Sequence, residues 1–351
     1  MDVLCRKLSS LRLCLGTIFV GVVFCFTFIS FLHPWTPHPL RRKVPMRGND
    51  LFNDNQFAEE MDQQWKAEYD ARVRRVRGIC DKNELVAKRR IWRVATNRLF
   101  GKETFCDDKM CPIIVDEKKV LFYCFIPKVA MTEIKRFFLN ISDIHINELA
   151  QENDTALHIV ANNALRRISP TYYPSTTVNR FFKMIFVRHP FDRLVSAFRS
   201  KAEKSRKDVP YFYDRFWDPV MKKLRPDGAP LDRITFTEFV WYLIHTKVRD
   251  YDEHWAPYWY RCDPCLVDYD FIGKLETAQH DFPYAFRQVG IDAGAEWWKE
   301  SYPHPHSLTL KYFSNIPEKD ILKLYGIYKF DFELFDYTIE EFLHKKVSYN
   351  A

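Results

Sequence analysis

The two runs 120-VLFYCFI-126 and 181-FFKMIFV-187 limit the fold of this 351-residue chain more than any other stretch. Neither alternates apolar with polar residues, as a strand with one wet face would. Each therefore reads as a strand covered on both faces of a parallel sheet. Each breaks at a short basic loop, 127-PKVAMTE-133 or 188-RHP-190, and continues with helical spacing. Ile134, Phe137 and Phe138 make the buried stripe after the first loop, and Phe191, Leu194, Val195 and Phe198 make it after the second. With a third candidate strand in 267-VDYDFIGKLE-276, the repetition predicts an α/β fold, a central parallel sheet flanked by helices. Ligands of such sheets bind beyond the carboxyl ends of the strands, where both loops fall.

The first loop sets Lys128 and Thr132 beside backbone N–H groups that open a helix, an arrangement suited to a phosphate. It lacks the GxxxxGK[ST] pattern, which disfavours a nucleotide triphosphatase or kinase. In the second, Arg188 stands where the strand ends and Pro190 suits a first helical turn. A rotation of about 100° per residue carries Ser196 off the apolar stripe, toward Arg193 and Ser200. A guanidinium and a hydroxyl converging on one anion is one reading; an interface arginine and a surface serine is the other. Spacing leaves both open.

Upstream, residues 13–32 form an uncharged run of about 20 residues, long enough to cross a bilayer and longer than the apolar core of a signal peptide. The expected organisation is a tail over 1–12, a transmembrane signal-anchor over 13–32, a stem over 33–79 opening with the proline-rich 33-HPWTPHPLRRKVP-45, and a globular body over 80–351. Positive charge flanks the span on both sides, so other features must orient it. The sequons at Asn140 and Asn153 can carry glycans only on a lumenal body. Six cysteines follow the span, Cys80, Cys106, Cys111, Cys124, Cys262 and Cys265, an even number that suits disulfides. These observations predict a single-pass type II membrane protein. A lone Cys262-Asp263-Pro264-Cys265 without a second such pair reads as structural disulfides rather than zinc, with the pairing open, and no dense Asp/Glu/His cluster implies another metal.

Net charge is +7; residues 1–32 carry +2 (Arg6, Lys7 and Arg12 against Asp2), leaving +5 on the rest. That excess suits an acidic partner, which in a lumen is not nucleic acid. Met61, Trp65, Tyr69, Val73 and Val76 predict an amphipathic helix over 58–78 that packs on the body or pairs with a second copy in a homodimer. Its arginines (Arg72, Arg74, Arg75, Arg77), with Lys88, Arg89 and Arg90, either meet a polyanion or line a solvated face. The stretch 317-PEKDILKLYGIY-328 predicts a scaffold helix.

The pair 126-IPKVAMTEIKRFF-138 and 186-FVRHPFDRLVSAFRSK-201 resembles the two cofactor-binding segments of Golgi carbohydrate sulfotransferases. Two further stretches, 253-EHWAPYWYRCDPCLVDYDFIGKLET-277 and 312-YFSNIPEKDILKLYGIYKFDFELFDY-337, resemble the branch of chondroitin and dermatan 4-O-sulfotransferases with their glucuronyl-3-O and GalNAc-4-O relatives. The resemblance implies a P-loop-like sulfotransferase fold, a Golgi membrane location, PAPS (3′-phosphoadenosine 5′-phosphosulfate) as donor without a metal, and an acidic glycosaminoglycan or glycoprotein glycan as acceptor. It further implies that Pro127, Lys128, Val129, Ala130, Met131 and Thr132 hold the 5′-phosphosulfate, and that Arg188 and Ser196 hold the 3′-phosphate. Lys128 would then stabilise the leaving oxygen and His158 would serve as base, with His254 its rival. Met131, Glu133 and Ile134 stand where the family usually has Cys, Asn and Trp, and a carboxylate at Glu133 is costly unless it turns away or caps the helix. The stretch 301-SYPHPHSLTLKYF-313 also lacks an arginine often found there. The expected reaction is sulfation of the 4-hydroxyl of GalNAc in chondroitin or dermatan. The alternatives are another sugar (glucuronyl 3-O or N-glycan GalNAc) and an inactive, membrane-anchored glycan-binding protein of the same fold.

Overall fold

The computed structural model describes residues 48–82, 112–144, 149, 151, 153–165, 167–168, 179–291 and 305–343. The anticipated tail and membrane span, the cluster Lys88–Arg90, and Cys106 and Cys111 lie outside them. Among the described residues no helix is long and apolar enough to cross a membrane. Residues 1–60 and 61–351 group as two compact units; of the first, only helix backbone from Gly48 on is described.

The body is built on a five-stranded sheet in the order β3-β1-β2-β4-β5: β1 is Ile113–Asp116, β2 Leu121–Cys124, β3 Arg167–Ile168, β4 Phe182–Val187 and β5 Phe271–Lys274. The three strands legible in the sequence are β2, β4 and β5, and they are parallel neighbours, with Leu121 opposite Phe182 and Met184 opposite Phe271. β1 and β3 extend the sheet antiparallel, Ile113 pairing with Cys124 on one side and Ile168 on the other. The expected all-parallel sheet is thus corrected to a mixed one. The turn 117–120 between β1 and β2 is too short for a crossover helix, so the chain can only return antiparallel. Gly273 is required by packing: a Cβ there would lie 2.2 Å from the Phe186 ring of the adjacent strand.

Helix α1 (Gly48–Lys82) contains the predicted amphipathic stretch, and it packs on the body. Tyr69 lies 5.0 Å from Phe271 and 4.3 Å from Tyr284, ring to ring. The buried Arg72 donates to Asp281 at 2.5 Å. Asp281 also accepts from the Lys274 N–H at 2.6 Å, so the helix is bolted to the end of β5. Arg75 pairs with Asp336 at 2.9 Å and Arg77 with Asp268 at 2.7 Å. The arginines proposed to meet a polyanion are, these three at least, structural.

Two helices follow the parallel strands as predicted, α2 (Met131–Ile141) after β2 and α4 (Pro190–Lys201) after β4, with α3 (Asp154–Ala164) packed on α2. α4 is buried all round from Pro190 to Phe198, and its apolar side chains belong to the second of two apolar cores. One is centred on the sheet. The other gathers α5 (Pro210–Phe212), a π-helical turn (Tyr213–Trp217), α6 (Asp218–Leu224), α7 (Phe236–His245), α10 (His306–Phe313) and α11 (Glu318–Phe335). The short α8 (Tyr258–Arg261) and α9 (Ala278–Arg287) belong to the sheet core, and α12 (Glu340–Leu343) closes the described chain. The CxxC pair is split between two disulfides, Cys80–Cys265 and Cys124–Cys262.

Candidate active site

The loop after β2 has an unusual backbone. Lys128 and Ala130 both have positive φ, 73° and 51°, a left-handed conformation that costs a residue with a Cβ. Alternation of this kind curls successive N–H groups inward into an anion-binding nest. No side chain caps α2 at Ala130, so the first-turn N–H groups of Met131, Thr132 and Glu133 are left to other acceptors. The sequence marks Lys128 as a charge suited to a phosphate, which of itself would place it in the open. Instead it is largely enclosed, and its pKa is pushed down to about 8, first by burial and then by Lys201, Arg188 and Lys204. Cations crowded in this way are relieved by an anion.

Glu133 neither caps the helix nor stands alone. Its carboxylate turns along α2 toward Arg136, 4.0 Å away, and Arg136 in turn reaches Asp154 at 3.1 Å.

Arg188, at the tip of β4, is 3 % exposed. Its main chain is gripped by one phenol: the Arg188 N–H donates to the Tyr258 hydroxyl at 2.9 Å, and that hydroxyl donates to the Arg188 carbonyl at 3.0 Å. Ser196 is buried on α4 rather than at the surface, and no hydrogen bond to Arg188 is formed among the described residues. Lys128 and Arg188, at the ends of adjacent parallel strands, therefore stand within electrostatic range of each other.

His158, on α3, and His254, in the segment before α8, meet at a common neighbour. Lys201 at the end of α4 and Glu253 act electrostatically on both. His158 is held down to about 4 by burial first and then by Lys135. Its Nδ1 is buried without a hydrogen-bond partner. Lys135 itself is fixed by Asn162 at 2.9 Å and lies 4.8 Å from the centre of the Phe125 ring. His254 is better oriented: its Nδ1 lies 2.5 Å from the Asp252 carboxylate. Burial nevertheless lowers its pKa against the pull of Asp252. Both rings are thus kept neutral near pH 7, and a neutral ring can take a proton.

Sequence reasoning missed three residues here. Arg193, 1 % exposed, spends its whole fork on carbonyls of the surrounding loops: Pro127 at 3.2 Å, Ala256 at 2.9 Å and Glu253 at 3.1 Å. It fixes the loop after β2 to the segment that bears His254. Tyr258 does the same for Arg188. Lys201 supplies a further cation, its ammonium 5.0 Å above the Phe212 ring. Only the two basic residues carried a signal, as charges on a helix with an apolar face; nothing local marked Tyr258.

Asn140 and Asn153 are both exposed, and Asn153 also caps α3, accepting from the N–H groups of Thr155 and Ala156. Among the described residues, His189, Asp192 and His306 lie close enough to share an ion. His189 accepts from the Phe191 N–H on Nδ1 and faces the Thr338 carbonyl with Nε2, so neither nitrogen is available to a metal.

The chain is similar to known proteins over much of its length. A family model described as the sulfotransferase family matches residues 112–338. Carbohydrate sulfotransferase 11 of Rattus norvegicus is 31 % identical over 252 residues, 66 % of this chain and 68 % of the relative. Carbohydrate sulfotransferase 12 of Xenopus laevis is 28 % identical over 333 residues, 84 % of this chain and 76 % of the relative. Carbohydrate sulfotransferase 10 of Gallus gallus is 30 % identical over 248 residues, 66 % and 67 % of the two chains. No solved structure matches. The matched span takes in the whole sheet, both strand-tip loops and both candidate histidines, and on that footing this chain belongs to the sulfotransferase family as a carbohydrate sulfotransferase.

Proposed function

We propose that the enzyme takes the sulfuryl group from PAPS and places it on the 4-hydroxyl of GalNAc in chondroitin or dermatan, as a type II protein of the Golgi membrane with its body in the lumen. One observation carries the donor: Lys128 and Arg188 stand on the tips of neighbouring parallel strands, close enough for Arg188 to depress the lysine's pKa. A ligand with phosphates at both ends of a nucleoside satisfies both cations at once. Lys128, Thr132 and the nest formed by Pro127, Val129, Ala130 and Met131 take the 5′-phosphosulfate; Arg188 and Ser196 take the 3′-phosphate.

The acceptor oxygen attacks sulfur as the bond from sulfur to the phosphate oxygen breaks. The hydroxyl proton passes to His158, and the charge left on the phosphate is met by Lys128. His158 is the base on this reading because it opens between Lys135 and Lys201 with an unprotonated ring, and an anionic donor raises its pKa toward the working range. A second reading gives the proton to His254. It is favoured by Asp252, which holds the His254 ring as the carboxylate of a catalytic triad holds its histidine.

The test is radiolabelled PAPS with desulfated chondroitin, dermatan, heparan and N-glycan acceptors, followed by disaccharide analysis. Label on the 4-position of GalNAc is expected, with kcat/KM reduced about 100-fold or more in Lys128→Met. Label on another sugar replaces the acceptor, and PAP (3′-phosphoadenosine 5′-phosphate) binding without transfer to any chain leaves a glycan-binding protein.

A further inference from the structure

From the candidate bases an aromatic and cationic path leads outward along the segment 210–217. The Phe212 ring lies 5.7 Å from His254 and under the ammonium of Lys201 at 5.0 Å. Tyr211 meets Phe212 edge to face at 5.3 Å, yet it is 53 % exposed, unusual for a tyrosine beside a buried core. Arg215, also exposed, donates to the Tyr211 hydroxyl at 2.7 Å, and its guanidinium lies 5.7 Å from the ring centre. The phenol oxygen therefore accepts from Arg215 and keeps its own hydrogen to donate, and the Arg215 side chain is itself exposed.

The carboxylates near this path are engaged elsewhere. Arg206 pairs with both Asp214 and Asp218. Asp208 accepts from Ser205, Asp252 holds His254, and Glu253 accepts from Arg261. Lys201, Lys204 and Arg215 supply cations in and just before this segment, beside one exposed ring. The π-helical turn Tyr213–Trp217 sets Arg215 one turn from Tyr211; such turns are rare and recur at functional sites.

We propose that Tyr211 and Arg215 form a subsite for an anionic sugar next to the one that is sulfated. The apolar face of the sugar ring stacks on Tyr211, and Arg215 takes its carboxylate as a fork. The enzyme thereby selects a charged chain, and the uronate of a glycosaminoglycan is the chemistry that fits. This rests on the acceptor reading above.

The experiment compares desulfated chondroitin with its carboxyl-reduced, uncharged counterpart as acceptors for the full chain. Wild type shows the lower KM on the charged polymer. Arg215→Gln raises that KM about tenfold and erases the difference between polymers; Tyr211→Ala raises KM on both. In each variant kcat and PAP affinity stay near wild type, and both residues are exposed, so folding is preserved. The wild-type KM also climbs with salt more steeply than that of Arg215→Gln. An active wild type whose KM is moved less than twofold by either change overturns this inference alone. A wild type inactive on both polymers overturns the acceptor reading and this inference with it.

Discussion

A buried imidazole makes a useful base only if something raises its proton affinity at the right moment. Burial and Lys135 hold His158 near about 4 in the free protein, too low to serve well near neutrality. An anionic donor beside Lys128 and Lys201 would lift it. The acid limb of kcat should therefore lie above that of kcat/KM, since the first reports the loaded enzyme and the second the free one. His158→Ala should lose about 100-fold or more in kcat with PAP affinity retained, as a pH–rate series and a PAP titration would show. If His254→Ala and Asp252→Asn produce that loss and His158→Ala does not, the role passes to His254. At this scale Lys128 and Arg188 were legible because each breaks an apolar run. Tyr258 and Arg193 were not, since their work is done across gaps of 70 and 66 residues, to the Arg188 main chain and the Pro127 carbonyl.

Among the elements, α4 carries a large share: Arg188 lies just before its start, Arg193 and Ser196 along it and Lys201 at its end. It is held from the C-terminal side by a histidine latch. His306 of α10 lies 2.8 Å from Asp192 of α4 and 2.9 Å from Glu341 of α12, and Asp192 raises its pKa above the ordinary histidine value. A group raised by folding contributes fully below its unfolded pKa, about 6.5, and loses that contribution as pH rises through the higher folded value. The melting-temperature advantage of wild type over His306→Gln should thus be larger at about pH 6 than at about pH 8.5. Partial exposure limits it to about 1 kcal/mol. An advantage equal at both pH values would mean that the latch is not ionic. The pattern of apolar residues announced α2, α4 and α11 because each carries apolar residues at helical spacing; it missed β1, which no helix follows, and β3, which is only 2 residues long.

At the scale of the whole molecule, the two disulfides among the described residues divide the labour. Cys124 ends β2 just before the donor loop, and Cys262 ends α8, so their bond ties that loop to the segment carrying His254 and Tyr258. Cys80–Cys265 instead fastens α1 to the body. Replacing either pair by alanine should cost about 2–5 kcal/mol in denaturant unfolding. Only the Cys124–Cys262 variant should also weaken PAP binding in a titration; the other, which holds α1 rather than β2 and the loop after it, should stay within about threefold of wild type. Equal loss of affinity in both would show that the bond near the loop has no special part. Local pattern sufficed for the three parallel strands, the helices that follow two of them and the cations at two strand tips, because periodicity and a broken apolar run are properties of neighbours in the chain. The antiparallel edge, the cysteine pairing, the packing of α1 and the buried fork of Arg193 depend on residues far apart in sequence, and their partners exist only once the chain has closed on itself.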